Sequence, residues 1–299
     1  MPAYDETFID DSFLKKLEKL KLLTKKGLKG PEKGEHRARQ TGEGLEFLDY
    51  RKYHLGDDLR YVDWSVFGRL DRLFIKLFHA EENQTIHILL DMSRSMGTGT
   101  PPKYIRAKKI AAAVGYICLS SFDKVGVTAF SDTILKQQLP ARGRRRFPEL
   151  LDFMSRLEPA GGTDINTCLI DYAAYRHPPG IAIVLSDLFD PKGCQEGLRA
   201  LAHRNFDIHL VQVLDHQEIF WSTSGSLELT DIETGKRKTA YLDGATVRQY
   251  RAAVNRFISE IRNDCSKYGI RHYIHDTRVP FEDFLMDYLT NHTLFNAKR

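Results

Sequence analysis

Residues 86–96 read Ile-His-Ile-Leu-Leu-Asp-Met-Ser-Arg-Ser-Met. An apolar run stops at Asp91, and Ser93 and Ser95 follow it at alternate positions. One carboxylate and two hydroxyls are hard oxygen donors, and the guest they suit is a hard cation such as magnesium. Two other places in the chain offer the same chemistry. Gly161-Gly162-Thr163-Asp164 sets a hydroxyl behind a glycine pair, which lets backbone turn sharply beside a ligand. Ser186-Asp187 puts a carboxylate at the end of a second apolar run, residues 181–185. Asp91, Ser93, Ser95, Thr163 and Asp187 would then supply two carboxylates and three hydroxyls. Magnesium takes about six oxygens at ~2.0–2.1 Å and gives up its waters reluctantly, so room is left for water or for one carboxylate from a partner. Taken singly, each motif has a plainer reading, because Asp and Ser at a strand end often cap the next helix or turn. Asp164 and Asp190 are expected in that capping or supporting role.

The elements that must position these side chains are legible from patterning. Runs 86–91 and 181–185 are short and nearly unbroken in apolar character, as parallel strands buried on both faces are. Side chains leaving the carboxyl end of such strands enter the crevice where open α/β sheets bind ligands. Further strands are expected over 125–130, 208–214 and 271–275, with 133–139 antiparallel at the sheet edge. Helices are expected over 104–122, 147–157, 163–175, 193–203, 247–268 and 281–289. That alternation predicts an α/β fold with a doubly wound, mostly parallel sheet over residues 81–290. Residues 1–43 are expected as a helix over 11–26 followed by a basic loop. Segment 44–80, with a strand over 73–79, is expected to form a small β-rich accessory unit, paired with a polar hairpin at 226–243. Within it Arg51, Asp57, Asp58, Arg60 and Asp63 are dense enough to pin irregular backbone as ion pairs or to face a partner.

Composition narrows the function classes. With 42% hydrophobic and 28% charged residues in 299, the chain is that of an ordinary globular protein and not a disordered one. No stretch approaches the ~20 apolar residues of a membrane span, and the acidic start MPAYDETFIDD is unlike a signal peptide, so a cytoplasmic protein is expected. Cys118, Cys168, Cys194 and Cys265 form no C-x-x-C pair and are expected as buried thiols. The formal charge of +4 is uneven: between Phe13 and Gln40 ten lysines and arginines face three glutamates, and Arg142 to Arg146 adds four arginines around one glycine. Neither patch carries the interleaved aromatics of single-strand binders or a groove-reading helix. A nucleic-acid or acidic-surface adaptor acting through the basic arm is therefore an alternative and not the main expectation. A second alternative is an Asp-dependent phosphotransfer enzyme, but Ser93 stands where the second acid of a D-x-D pair would be. No G-x-S-x-G elbow, H-E-x-x-H pair or phosphate-cradling G-x-x-x-x-G-K-[ST] loop is present.

The D-x-S-x-S after a hydrophobic strand, the later Gly-Gly-Thr and the still later Ser-Asp resemble, in that order, the metal ion-dependent adhesion site of von Willebrand factor A domains. More narrowly, GLEFLDYRKYHLGDDLRYVDW ahead of that domain and LELTDIETG within it resemble the bacterial family known as domain of unknown function 58. The resemblance covers roughly residues 34–289. It implies Asp91, Ser93 and Ser95 as a first metal loop, Thr163 as the second and Asp187 as the third. It also implies a divalent metal, usually Mg2+, with Mn2+ or Ca2+ as substitutes, and a non-catalytic protein-binding role. The implied partner offers an acidic residue, with a MoxR-type AAA+ ATPase as the first candidate.

Overall fold

The computed structural model describes residues 13, 15–18, 47–78, 84–175, 177–221, 225–232 and 235–291. These fall into two compact units, one holding the described residues up to 18 and from 84 onward, the other those from 47 to 78. The basic loop expected up to residue 43 lies outside the described residues.

In the smaller unit, strands β1 (Phe47–Lys52) and β2 (Phe74–Phe78) pair antiparallel on either side of helix α1 (Trp64–Leu70). Asp63 caps α1 by accepting from the backbone of Ser65 at 2.9 Å and of Val66 at 3.2 Å. The same carboxylate takes the Tyr50 hydroxyl at 2.8 Å and the Lys76 ammonium at 3.1 Å. The Ser65 hydroxyl leads this set of donors, which holds the Asp63 pKa well below the usual carboxylate range. Arg51 pairs with Asp57 at 2.9 Å and Arg60 with Asp58 at 2.6 Å, so the dense charges of this segment pin its turns locally. Helix α1 is absent from the expectations above. It has seven residues and buries none of them, so no apolar stripe betrays it.

The larger unit is built on a six-stranded sheet. Its elements in chain order are β3 (Thr85–Asp91), α2 (Lys103–Ser120), β4 (Lys124–Phe130), β5 (Ile134–Arg142), α3 (Phe147–Ser155), α4 (Ile165–Ala174) and β6 (Ile181–Ser186). They continue as α5 (Gln195–His203), β7 (Asp207–Leu214), α6 (His216–Ile219), a hairpin of β8 (Gly225–Thr230) and β9 (Arg237–Leu242), α7 (Gly244–Lys267), β10 (Arg271–Asp276) and α8 (Phe281–Asn291). The sheet order is β10-β7-β6-β3-β4-β5, with β5 alone antiparallel at one edge. This is a mixed α/β architecture with a central, mostly parallel sheet and helices on both faces. Alternation along β3 divides the core: Ile86, Ile88 and Leu90 pack toward α2, α3 and α8, whereas Leu89 packs toward α4, α5 and α7.

Two expectations about domain organisation change. The helical residues Phe13 and Leu17 are 1% and 0% exposed and lie in the same core as Phe281 and Leu285 of α8. The Phe13 and Phe281 rings stand 5.2 Å apart, and Lys16 pairs with Glu282 beside them. Part of the segment set apart as 1–43 therefore belongs to the larger unit. The pairing expected between hairpin 226–243 and segment 44–80 is not among the strand ladders of the described residues. Instead β8 pairs with β9, from Gly225↔Leu242 to Thr230↔Arg237, and β1 with β2.

Phe13→Ala is expected to cost about 3–5 kcal/mol of stability by leaving a cavity under α8, read as a lowered urea midpoint. An unchanged midpoint would detach the N-terminal helix from the core.

Candidate metal centre

From β3 the chain runs outward through β4 and β5, then returns to the other side of β3 as β6. Connections that leave adjacent carboxyl ends in opposite directions open a crevice between them. Asp91 ends β3 and Ser186 ends β6 at that point.

Period-two alternation sets Asp91 on the face of Leu89, and Ser186 on the face of Ala182 and Val184. Both face α4. The Ser186 hydroxyl donates to Asp91 Oδ2 at 2.6 Å, and the Ser93 backbone N–H donates to Asp91 Oδ1 at 2.8 Å. Asp91 and Ser93 are fully buried, and the Ser93 and Ser95 hydroxyl oxygens lie 3.0 Å apart. The Gly-Gly-Thr loop docks directly on this one. Ala160 N–H donates to the Met92 carbonyl at 2.8 Å, and Arg94 N–H to the Gly161 carbonyl at 3.4 Å. Gly161 has φ +78°, and a Cβ there would lie 2.8 Å from the Ser131 hydroxyl, so this close approach needs glycine. Thr163 follows two residues later, half-buried, at the entry to α4. Asp164 caps α4 through Thr167 N–H at 3.0 Å, and Asp190 accepts from Ile165 N–H at 2.8 Å. Asp164 thus caps the helix and Asp190 supports its first turn, within the capping or supporting role expected of them.

Asp187 is fully buried, with Oδ1 accepting from Phe189 N–H at 3.0 Å and Oδ2 from the Lys103 ammonium at 2.8 Å. Lys103 Nζ also donates to Glu218 Oε1 at 2.6 Å and stands 5.0 Å from the centre of the Phe189 ring. The other Glu218 oxygen accepts Asp215 N–H at 2.7 Å and closes a capping box on α6. The five residues singled out by sequence thus lie on three loops that meet at one rim. Lys103 and Glu218 are polar neighbours that sequence reasoning passed over, and Ser186 entered it only as the residue before Asp187. Lys103 did carry a signal, since it shares helical spacing with Ala107, Ile110, Ala111 and Val114, where an aliphatic residue belongs. Lys108 is also buried in α2, and its ammonium donates to the Leu157 carbonyl at 2.6 Å, steadying the chain that leads to Gly161.

Burial pushes the Asp91 carboxyl up to about 7, and the Asp187 charge pushes the same way against hydrogen bonds from Ser186 and Ser93. Burial works against the charge on Lys103, yet Asp187 and Glu218 outweigh it and its pKa lies above the ordinary value. Glu218 is raised by burial, with Lys103 opposing. Two buried acids beside hydroxyls form an all-oxygen donor set that fits a hard divalent cation, whose charge would relieve their repulsion. Among the described residues no cluster of three or more His, Cys, Asp or Glu side chains is arranged to hold a metal. An ion at this rim would therefore depend on the hydroxyls as much as on the carboxylates. The four cysteines are buried and free, and burial raises their thiol pKa values.

A family model described as "Protein of unknown function DUF58" matches residues 49–259. A Mycobacterium tuberculosis protein described as uncharacterized is 29% identical over 237 residues, which cover 77% of this chain and 74% of that one. Among solved structures, the conserved hypothetical protein BatB from Bacteroides thetaiotaomicron aligns with TM-score 0.40 at 15% identity, covering 70% of this chain and 98% of that one. An aerotolerance-related membrane protein from Bacteroides fragilis aligns with TM-score 0.41 at 14% identity, covering 70% and 100%. Among the described residues no helix is long and apolar enough to cross a membrane.

The Asp91 shift has a definite sign. A carboxyl raised from 3.8 to about 7 holds its proton in the folded state after the unfolded chain has lost it, so stability falls as pH rises through that window. In EDTA, wild type is expected to lose a few kcal/mol relative to Asp91→Asn across the same range, read from urea midpoints. Parallel pH profiles for the two proteins would contradict the burial of a strained acid at position 91.

Proposed function

The chain belongs to the family described as Protein of unknown function DUF58, and from that premise we propose that its larger unit is a von Willebrand factor A-like module that captures an acidic residue of a protein partner through a divalent cation. Asp91, Ser93, Ser95, Thr163 and Asp187 hold the ion, Mg2+ by preference, with Mn2+ or Ca2+ able to substitute. The bound cation supplies a positive charge that an incoming carboxylate neutralises. The protein's own part is to orient donors: Ser186 and the Ser93 backbone fix the Asp91 carboxylate, and the loop at 160–161, docked on the Asp91 loop, leads into Thr163. Support comes above all from the meeting of three oxygen-bearing loops at the switch point of the sheet, with two of the acids fully buried.

The role is non-catalytic and cytoplasmic, and the first candidate partner is a MoxR-type AAA+ ATPase. A phosphotransfer role of the D-x-D type would need its second acid at position 93, and that residue is serine.

Calorimetry with Mg2+ is expected to show a single site in wild type and none in Asp91→Ala. Affinity capture from the native cell in Mg2+ is expected to retain a protein partner that is lost both in EDTA and with Asp91→Ala. Equal metal binding by the two proteins, or retention indifferent to EDTA, would contradict the proposal.

A further inference from the structure

Lys103 is a cation at this rim that a metal site built only of oxygens does not call for. Its side chain is 1% exposed and its ammonium touches two carboxylates, Asp187 at 2.8 Å and Glu218 at 2.6 Å. The lysine leaves the first turn of α2 and is fully buried, so its ammonium cannot reach bulk water without displacing the groups around it. Asp187 has its other oxygen on Phe189 N–H. The carboxylate assigned to the third metal loop is therefore already neutralised by a cation belonging to the chain itself.

Resting on the metal-binding reading above, we infer that Lys103 is a built-in cation that competes with the divalent ion for Asp187, and that Glu218 sets the strength of this competition. A positive charge a few ångströms from a divalent ion raises the free energy of the loaded site, and in a partly desolvated place that repulsion is only weakly screened. Glu218 draws Lys103 away from Asp187 because it shares the ammonium. It also ties the site to the chain beyond β7. One Glu218 oxygen caps α6 through Asp215 N–H at 2.7 Å, and the Glu218 carbonyl accepts the Tyr250 hydroxyl of α7 at 3.0 Å. The occupancy of Asp187 is thus linked to α6 and α7, the elements on either side of the β8–β9 hairpin.

Two substitutions should move metal affinity in opposite directions. Lys103→Met removes the competing charge and keeps an unbranched chain of similar length, so Mg2+ and Mn2+ should bind about tenfold tighter or more by calorimetry. In EDTA the same variant should melt at lower temperature than wild type, because Asp187 and Glu218 lose their partner, and added Mg2+ should restore more of that loss than it adds to wild type. Glu218→Gln leaves Lys103 to Asp187 alone, and the metal should bind several-fold more weakly. Equal or weaker binding by folded Lys103→Met, with wild type still binding and Asp91→Ala not, would overturn the role of Lys103 and leave the metal site standing. Tighter binding by Glu218→Gln would likewise overturn it. No binding by any of these proteins would overturn the metal reading and this inference with it.

Discussion

Two adjacent parallel strands end in buried acids, and the surrounding structure is arranged around that constraint. A carboxylate taken out of water costs several kcal/mol unless hydrogen bonds or an opposite charge replace its solvation. At Asp91 the compensation is a hydroxyl and a backbone N–H. At Asp187 it is a backbone N–H and an ammonium. The two are treated differently because Asp91 closes β3 on the face of α4, whereas Asp187 follows the end of β6 and meets Lys103 of α2. Asp91 is left as the strained member, with a carboxyl raised far above its ordinary pKa.

Helix α2 is the main organiser of the rim. It is apolar enough to bury most of its length against the sheet, yet it carries two lysines into that core. Lys103 meets the loop after β6, and Lys108 meets the chain that leads to the Gly-Gly-Thr loop. The loop that joins the first acid to α2 is held in turn by Asp215 at the end of β7, whose carboxylate accepts from Thr100 N–H at 3.3 Å and from the Thr277 hydroxyl at 3.0 Å. Gly99 lies against that carboxylate with φ +95°, and a Cβ there would stand 2.6 Å from Asp215 Oδ2. Four strand ends, those of β3, β6, β7 and β10, are in this way tied through side chains on one rim.

Much of the sheet was legible from the chain alone, because strands buried on both faces carry a strong signal. The apolar runs at 86–91 and 181–185, and the antiparallel edge strand after 130, lie where patterning placed them. The three oxygen-bearing loops were legible for a related reason, since side chains that leave strand ends must go to the crevice. What patterning could not show was contact between residues far apart in sequence. Ser186 meets Asp91 only through the β3–β6 register, and Glu218 meets Lys103 only because α6 follows β7 on the same rim. Helix α1 escaped notice because it buries nothing, and the polar hairpin β8–β9, expected as a hairpin, carries no mark of what lies against it. The attachment of Phe13 and Leu17 to α8 was equally invisible, since an amphipathic stripe states that a face is covered but not by what.

The central claim is that the loops at Asp91, Thr163 and Asp187 enclose one divalent cation. Crystals grown in Mn2+ and measured at the manganese absorption edge address it directly. The expected result is a single anomalous peak within coordination distance of Asp91, Ser93, Ser95, Thr163 and Asp187, lost in crystals of Asp91→Ala. An ordered rim with no peak there, or a peak bound elsewhere on the chain, would contradict it.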